Sequence, residues 1–175
     1  MPLTIERLAT GDLRHHPFDQ VLALCNEAYG ADMAAYFDDI GPGVHLLGWD
    51  AGVLASHAMW VSRTLYPGGL PPLRCAYVEL VATRVDLQRR GLATMLMRHL
   101  ATEIEQYELG ALSPAATSLY ERLGWEWWRG PLFVRTDEGM IPVPEEEAMI
   151  LRLPGSPEVD VTESLAVDWR PGEVW

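Results

Sequence analysis

"VATRVDLQRRGLATMLM", residues 81–97, changes its period half-way along. Its opening, together with "LRCAYVEL" at 73–80, is an unbroken β-favouring run, the pattern of a central strand covered on both faces. Further on, Leu92, Leu96, Leu100 and Ile104 recur every fourth residue, which lays one apolar stripe along a helix. Between the two lies the turn "QRRGLA", 88–93. A strand that passes through such a turn into a helix presents the helix's first amides, which have no intrahelical partner and sit at the positive end of its dipole. The turn can therefore cradle a pyrophosphate. Gly91 lets the backbone approach closely, and Arg89 and Arg90 add charge. A glycine turn is also a common plain connection, so alone it does not decide the ligand.

Outward from this stretch the chain alternates between strand and helix patterns. "PLTIERLA" (2–9) alternates apolar and polar residues as a strand does. "HPFDQVLALCNEAYG" (16–30) places Phe18, Val21, Leu22, Cys25, Ala28 and Tyr29 at helical spacing, with Pro17 at its start and Gly30 to close it. Residues 31–43 read as a loop or short helix. The runs on either side of Asp50-Ala51-Gly52 predict a hairpin. "YELGALS" (107–113) predicts a short strand. "SPAATSLYERLG" (113–124) predicts a helix with Ser113 as N-cap, Pro114 at its first position and Gly124 at its end. "WEWWRGPLFVR" (125–135) and "AMILRLP" (148–154) read as two more strands. The expectation is a mixed α/β domain, about seven strands flanked by about four helices, spanning residues 1–175.

Composition narrows the partners. The net charge of −12 argues against a nucleic-acid backbone or an anionic membrane and suits a cationic small molecule, although solubility alone makes many proteins acidic. No apolar run approaches the ~18 residues of a membrane span, and "MPLTIERLATGDL" does not read as a signal peptide, so a cytoplasmic location is expected. Cys25 and Cys75 lack CxxC spacing and read as buried free thiols. His15, His16, His45, His57 and His99 show no ligand spacing, and no metal is expected. Neither cysteine has the paired histidine of a covalent acyl-enzyme, so direct transfer is the simpler chemistry.

Gln88-x-x-Gly91-x-Ala93 after a strand resembles the pyrophosphate motif of the GNAT N-acetyltransferase superfamily, and "LYERLGWE" (119–126) resembles its second signature. A closer resemblance, covering most of the chain, is to the aminoglycoside 2'-N-acetyltransferases. It rests on "LRCAYVELVATRVD", "LGALS" and the ending "DWRPGEVW" (168–175). The resemblance implies acetyl-CoA between splayed strands 4 and 5, with coenzyme A as product and no metal. It places Val81, Ala82 and Thr83 on the pantetheine arm, Val81 donating its N–H to the thioester carbonyl, and Gln88, Arg89, Arg90, Gly91, Leu92 and Ala93 on the pyrophosphate. It also implies a cationic aminoglycoside acceptor, resistance by inactivation, and a homodimer. Residues 155–175 would form a tail closing the acceptor site, with the terminal carboxylate of Trp175 on substrate amines.

Several roles also make chemical sense from the residues themselves. Glu79 falls in mid-strand, where a carboxylate is ordinarily solvated or salt-bridged and costs several kcal/mol if desolvated without a partner. Near a thioester it can instead take the proton from an ammonium that must become a neutral amine. Tyr120 is an ordinary core aromatic by position, but by resemblance its hydroxyl approaches the CoA sulfur and is the general acid for the departing thiolate. Ser113 reads as the cap, and the resemblance of "ALS" to the family also places it at the acceptor site. Asp32, Asp38, Glu146, Asp168 and Glu173 are unremarkable singly. Together they resemble a cage for a polyamine. Leu80 stands where the family commonly has glycine, and it joins Glu79, Ser113 and Trp175 among the expected acceptor residues. That departure, with a short loop before Tyr120, leaves room for a smaller aminoglycoside such as kasugamycin. The rival readings are acetylation of another polyamine, metabolite or protein N-terminus, and acyl-CoA binding without turnover.

Overall fold

The computed structural model describes residues 3–175. In chain order the elements are β1 (Thr4–Ala9), α1 (Thr10–His15), α2 (Phe18–Tyr29), α3 (Ala34–Ile40), β2 (Val44–Asp50), β3 (Val53–Pro67) and β4 (Leu73–Thr83). A 3-10 turn (Val85–Leu87) leads to α4 (Leu92–Glu103), β5 (Leu109–Leu112), α5 (Thr117–Arg122), β6 (Glu126–Trp127), β7 (Leu132–Thr136), β8 (Gly139–Pro142), β9 (Met149–Arg152) and β10 (Leu165–Asp168). The mixed α/β class is as expected. Contacts divide the chain into two units. The first takes the chain up to Val61 and again from Val78 to Thr102, and the second takes Ser62–Tyr77 and Glu103–Trp175. The neighbouring strands β3 and β4 each run through both.

In the first unit β1 pairs antiparallel with β2, and β2 with β3, so that Val44 faces Trp60 and Asp50 faces Val53. The expected hairpin forms on Ala51 (φ 49°) and Gly52 (φ 81°), the left-handed pair that matches the twist of two antiparallel strands. Helix α2 ends on Gly30 (φ 67°) as expected, but its buried face is Val21, Leu24 and Cys25, while Phe18, Leu22 and Ala28 of the expected stripe are half-buried and Tyr29 is exposed. The stripe on α4 is also as expected: Leu92, Leu96 and Leu100 are all buried. Leucines four apart stack on one helical face, and each buried one contributes roughly 1.5–3 kcal/mol.

In the second unit β5 lies parallel to β4, Cys75–Tyr77 opposite Leu109–Ala111, with β9 on its other side and β6 beyond. On the β3 side, β10 pairs antiparallel with Leu65–Pro67 and parallel with β7, and β8 closes that edge. Ten strands are thus present among the described residues where about seven were expected. The additions, β6, β8 and β10, are two to four residues long, too short to show a period. "WEWWRGPLFVR" is not one strand. Its middle turns aside because the Arg129 and Gly130 amides donate to Val161 O (2.8 and 2.9 Å) and Trp128 Nε1 to Glu163 O (2.8 Å). Only a glycine allows this approach, since a β-carbon at Gly130 would overlap the Glu163 carbonyl.

The capping expectation at Ser113 fails. Helix α5 starts at Thr117 after Ala116, whose non-helical backbone (φ −133°, ψ 78°) interrupts the run, and no side chain caps it. Four residues from the first helical position, the Ser113 hydroxyl is outside a cap's reach. Gly124 (φ 85°) does follow the helix end. Residues 155–175 are more than a tail, because β10 is a buried strand within them.

Candidate active site

The first unit holds the expected base and cofactor residues. Glu79 lies on β4 with only 7% of its surface exposed, and the Tyr36 hydroxyl donates to its Oε2 at 2.9 Å. A carboxylate this buried needs donors, and Tyr36, projected from α3, is one that sequence reasoning missed. No period or spacing separates Tyr36 from its neighbour Phe37, which is core. The next residue, Leu80, is buried and has φ 50°, so the strand kinks through a left-handed residue between Glu79 and Val81. A kink of that kind re-aims the backbone groups beside it. The Val81 carbonyl accepts from Tyr29 Oη at 3.3 Å.

The turn between β4 and α4 has the form the motif predicts. Arg89 (φ 64°) and Gly91 (φ 79°) are both left-handed, and the space a Gly91 side chain would occupy is open. Gln88, Arg89, Arg90 and Gly91 are exposed, Leu92 is buried and Ala93 half-buried. Gln88 Nε2 donates to Thr83 O at 3.3 Å, which ties the turn to the end of β4. Two left-handed residues lead directly into a twelve-residue helix, whose first amides have no intrahelical partner, an arrangement suited to an anion.

The acids expected at the acceptor side differ in their surroundings. Asp32 accepts the Ala34 amide at 3.0 Å, and Asp38 pairs with Arg14 at 2.6 Å, both exposed, so each has a local partner in the first unit. In the second unit Asp168 is held by Arg135 (3.3 Å) and by Tyr66 Oη (2.9 Å). With Trp169, which is 60% exposed, Asp168 lines an open cavity of about 570 Å³ whose wall also carries Arg135, Asp137 and Glu138. Glu146 is different. Half-buried in the turn before β9, its carboxyl is raised above the usual range, first by burial and then by the charges of Glu173 and Glu145. A carboxylate whose ionisation is made costly by neighbouring charges favours a cation beside it.

The tail packs back in the second unit. Trp175 is 3% exposed, while Arg63 donates to the carbonyls of Val174 and Asp168, the latter at 2.7 Å. Arg170 Nε donates to Glu173 O at 2.6 Å, leaving the Glu173 side chain exposed. Tyr120 is buried against Trp125, ring centres 6.0 Å apart, and burial raises its hydroxyl to about 12. Ser113 is exposed at the end of β5. Among the described residues no group of three His, Cys, Asp or Glu could hold a metal ion, and no helix is long and apolar enough to cross a membrane.

Comparison with known proteins decides the family. Residues 12–128 match the model of the acetyltransferase (GNAT) domain. The aminoglycoside 2'-N-acetyltransferase of Mycolicibacterium fortuitum is 33% identical over 180 residues, covering 98% of this chain and 92% of that protein. The chain belongs to the GNAT acetyltransferases, in the family of that enzyme. Among solved structures, the Escherichia coli GNAT family N-acetyltransferase YhbS, in complex with CoA, superposes with a TM-score of 0.62 at 16% identity, over 95% of this chain and 91% of that one. Eis1 from Mycobacterium abscessus gives 0.58 at 18% identity over 74% of this chain. This GNAT chain spans about a third of the length of Eis1 (32%) and of a Kribbella flavida GNAT acetyltransferase (34%). The GNAT fold implies acetyl-CoA as acyl donor, and the left-handed turn ahead of α4 fits its pyrophosphate.

Proposed function

We propose that the chain transfers an acetyl group from acetyl-CoA to an amine of an aminoglycoside, the 2' amine of the acceptor, and so inactivates it. The observation that carries the cationic acceptor is Glu146, made costly to ionise by burial and by Glu173 until a cation lies beside it. The match to the M. fortuitum enzyme over nearly the whole chain supports the aminoglycoside class. The GNAT match, which draws residues from both units, supports reading residues 1–175 as one acetyltransferase domain.

Acetyl-CoA, when bound, supplies an acetyl group on an activated thioester. On this reading Gln88–Ala93 offer backbone donors and the charges of Arg89 and Arg90 to the pyrophosphate, and Val81–Thr83 hold the pantetheine arm. Glu79, with Tyr36 on its Oε2, takes the proton of the acceptor ammonium and frees the lone pair that attacks. The N–H of Val81, beyond the kink at Leu80, stabilises negative charge on the thioester oxygen. Tyr120 keeps its proton throughout the working range and donates a hydrogen bond to the thiolate that leaves. A thiol titrates near 8.5, so full transfer from a hydroxyl at about 12 is uphill, and solvation of the thiolate is the role its chemistry favours. Asp32, Asp38, Ser113, Glu146, Glu173 and Trp175 are the proposed acceptor contacts. Leu80 at a position where the family commonly has glycine supports a narrow range, with kasugamycin as candidate.

A mass-spectrometric screen with acetyl-CoA tests the reading. Single acetylation of an aminoglycoside at the 2' amine is the expected result. Acetylation of peptide N-termini or simple polyamines alone would overturn the acceptor class. Tight CoA binding without transfer to any amine would overturn catalysis.

A further inference from the structure

His45 and His57, on the paired strands β2 and β3, have no exposed surface at all and take no part in the chemistry above. A polar ring so buried is costly unless its nitrogens are hydrogen-bonded, and here each one is. His57 Nδ1 lies 2.8 Å from Leu80 O, with Cys25 Sγ 3.8 Å away. His57 Nε2 lies 3.0 Å from His45 Nδ1, and His45 Nε2 lies 2.9 Å from Thr10 Oγ1. The Gly43 amide donates to that hydroxyl at 2.8 Å.

The direction of this row is set at its carbonyl end. A carbonyl only accepts, so His57 carries its proton on Nδ1 and its Nε2 accepts from His45 Nδ1–H. The neutral His45 ring then accepts at Nε2 from the Thr10 hydroxyl, which also has Gly43 O within reach at 3.1 Å. Both rings are neutral Nδ1–H tautomers. Burial opposes protonation of both, lowering His57 to about 4 and, with the neighbouring ring's charge adding, His45 to about 3.

The row ends on the one residue of β4 with a positive φ. Leu80, at φ 50°, holds a conformation that glycine adopts freely and a leucine avoids because of its β-carbon. We propose that His57, backed by His45 and Thr10, is a positioning residue: by holding the Leu80 carbonyl it keeps the kink in place without glycine, and so fixes Glu79 and Val81 on either side. This rests on the reading of Glu79 and Val81 as transfer residues. A pair of aliphatic side chains would fill the same volume, but would leave the carbonyl unheld.

The test compares wild type, His57→Leu, which removes the donor at similar volume, and His57→Asn, whose amide nitrogen falls near the lost Nδ1. Nitrogen NMR of the wild-type imidazoles should show both as Nδ1–H tautomers. An Nε2–H tautomer at His57 overturns the proposal. The Val81 amide resonance should move in His57→Leu and return in His57→Asn. In the acetyl transfer assay His57→Leu should lose roughly ten- to a hundredfold in kcat, the size expected of a misplaced reacting group, with acetyl-CoA affinity nearly unchanged and Asn restoring most of it. If Leu leaves the Val81 amide and kcat at wild-type values, or if Asn behaves as Leu does, the rings are core packing only. Should His57→Leu not fold, the tautomers and the His57→Asn spectrum decide. A wild type that acetylates no amine overturns the proposed function, while the Val81 resonance still reports on the kink.

Discussion

At Glu79 the chemistry rests on one carboxylate and its surroundings. The side chain is nearly buried, and the Tyr36 hydroxyl on its Oε2 supplies one of the hydrogen bonds that water would otherwise give. Glutamine keeps the shape and an oxygen for Tyr36 but cannot accept the amine's proton. Glu79→Gln should therefore lower kcat/KM on the order of 100-fold at neutral pH, and less at alkaline pH, where the acceptor arrives as a free amine. A deficit of equal size at every pH, measured across a pH–rate profile, would remove Glu79 as base. The sequence marks Glu79 because a lone acid in an apolar strand is conspicuous. It marks neither Tyr36 nor His57, because an aromatic or a histidine among core residues looks the same whether or not its polar atom meets a partner from a distant segment. Leu80 was legible as a departure from glycine, but its positive φ was not, since nothing in a leucine announces one.

At the scale of elements, the strand–turn–helix from Leu73 to Glu103 was legible almost entirely, since a change of period and one glycine define it. Helix α2 and the Asp50–Val53 hairpin were legible for the same local reasons. The elements that escaped are those set by tertiary contacts. Val161 and Glu163 draw Trp128–Gly130 out of what reads as a strand, and β10 exists because β3 and β7 receive it on both sides. The turn before α4 carries its own prediction. Gly91→Asp places a negative side chain in open space at φ 79°, a region that Asp tolerates better than most residues, so the fold should survive at a cost of about 1 kcal/mol. Loss of two charge-assisted bonds to a pyrophosphate should weaken acetyl-CoA by roughly 100-fold or more. Calorimetry with Gly91→Ala alongside separates charge from bulk. Unchanged affinity in the Asp variant would mean that the turn is only a connection. The β2–β3 hairpin predicts a pH dependence. His45 and His57 stay neutral when folded down to about 3 and 4, whereas in the unfolded chain they take up protons below about 6.5. The unfolded state thus binds more protons in that window. The stability that neutral burial provides is complete above about pH 6.5 and falls as pH drops toward 4, by roughly 1 kcal/mol per pH unit for each ring. Urea midpoints that are flat from pH 7 to 5 would contradict it.

For the molecule as a whole, the last segment joins stability to the proposed acceptor chemistry, and the two can be separated. Trp175 is 3% exposed, and Arg63 on β3 holds the carbonyls of Val174 and Asp168, so the segment is anchored in the second unit. Glu173 differs from Trp175: its carbonyl is bound by Arg170, while its side chain is exposed and its charge is felt at Glu146. Deleting residues 173–175 removes both functions at once. Burial of a tryptophan is worth about 3 kcal/mol or more, and in a chain of this size 1 kcal/mol moves the melting temperature by roughly 2–4 °C, so the truncated protein should melt on the order of 10 °C lower. Glu173→Gln should leave melting within about a degree or two, because exposed charges contribute little to stability. It should instead raise the acceptor KM several-fold, since a charge-assisted hydrogen bond is worth roughly 1.5–3 kcal/mol. That increase should shrink in high salt, while acetyl-CoA affinity stays constant. If Glu173→Gln acetylates its acceptor as wild type does and only the truncation suffers, the segment is purely structural, and the cation beside Glu146 must be held by other acids.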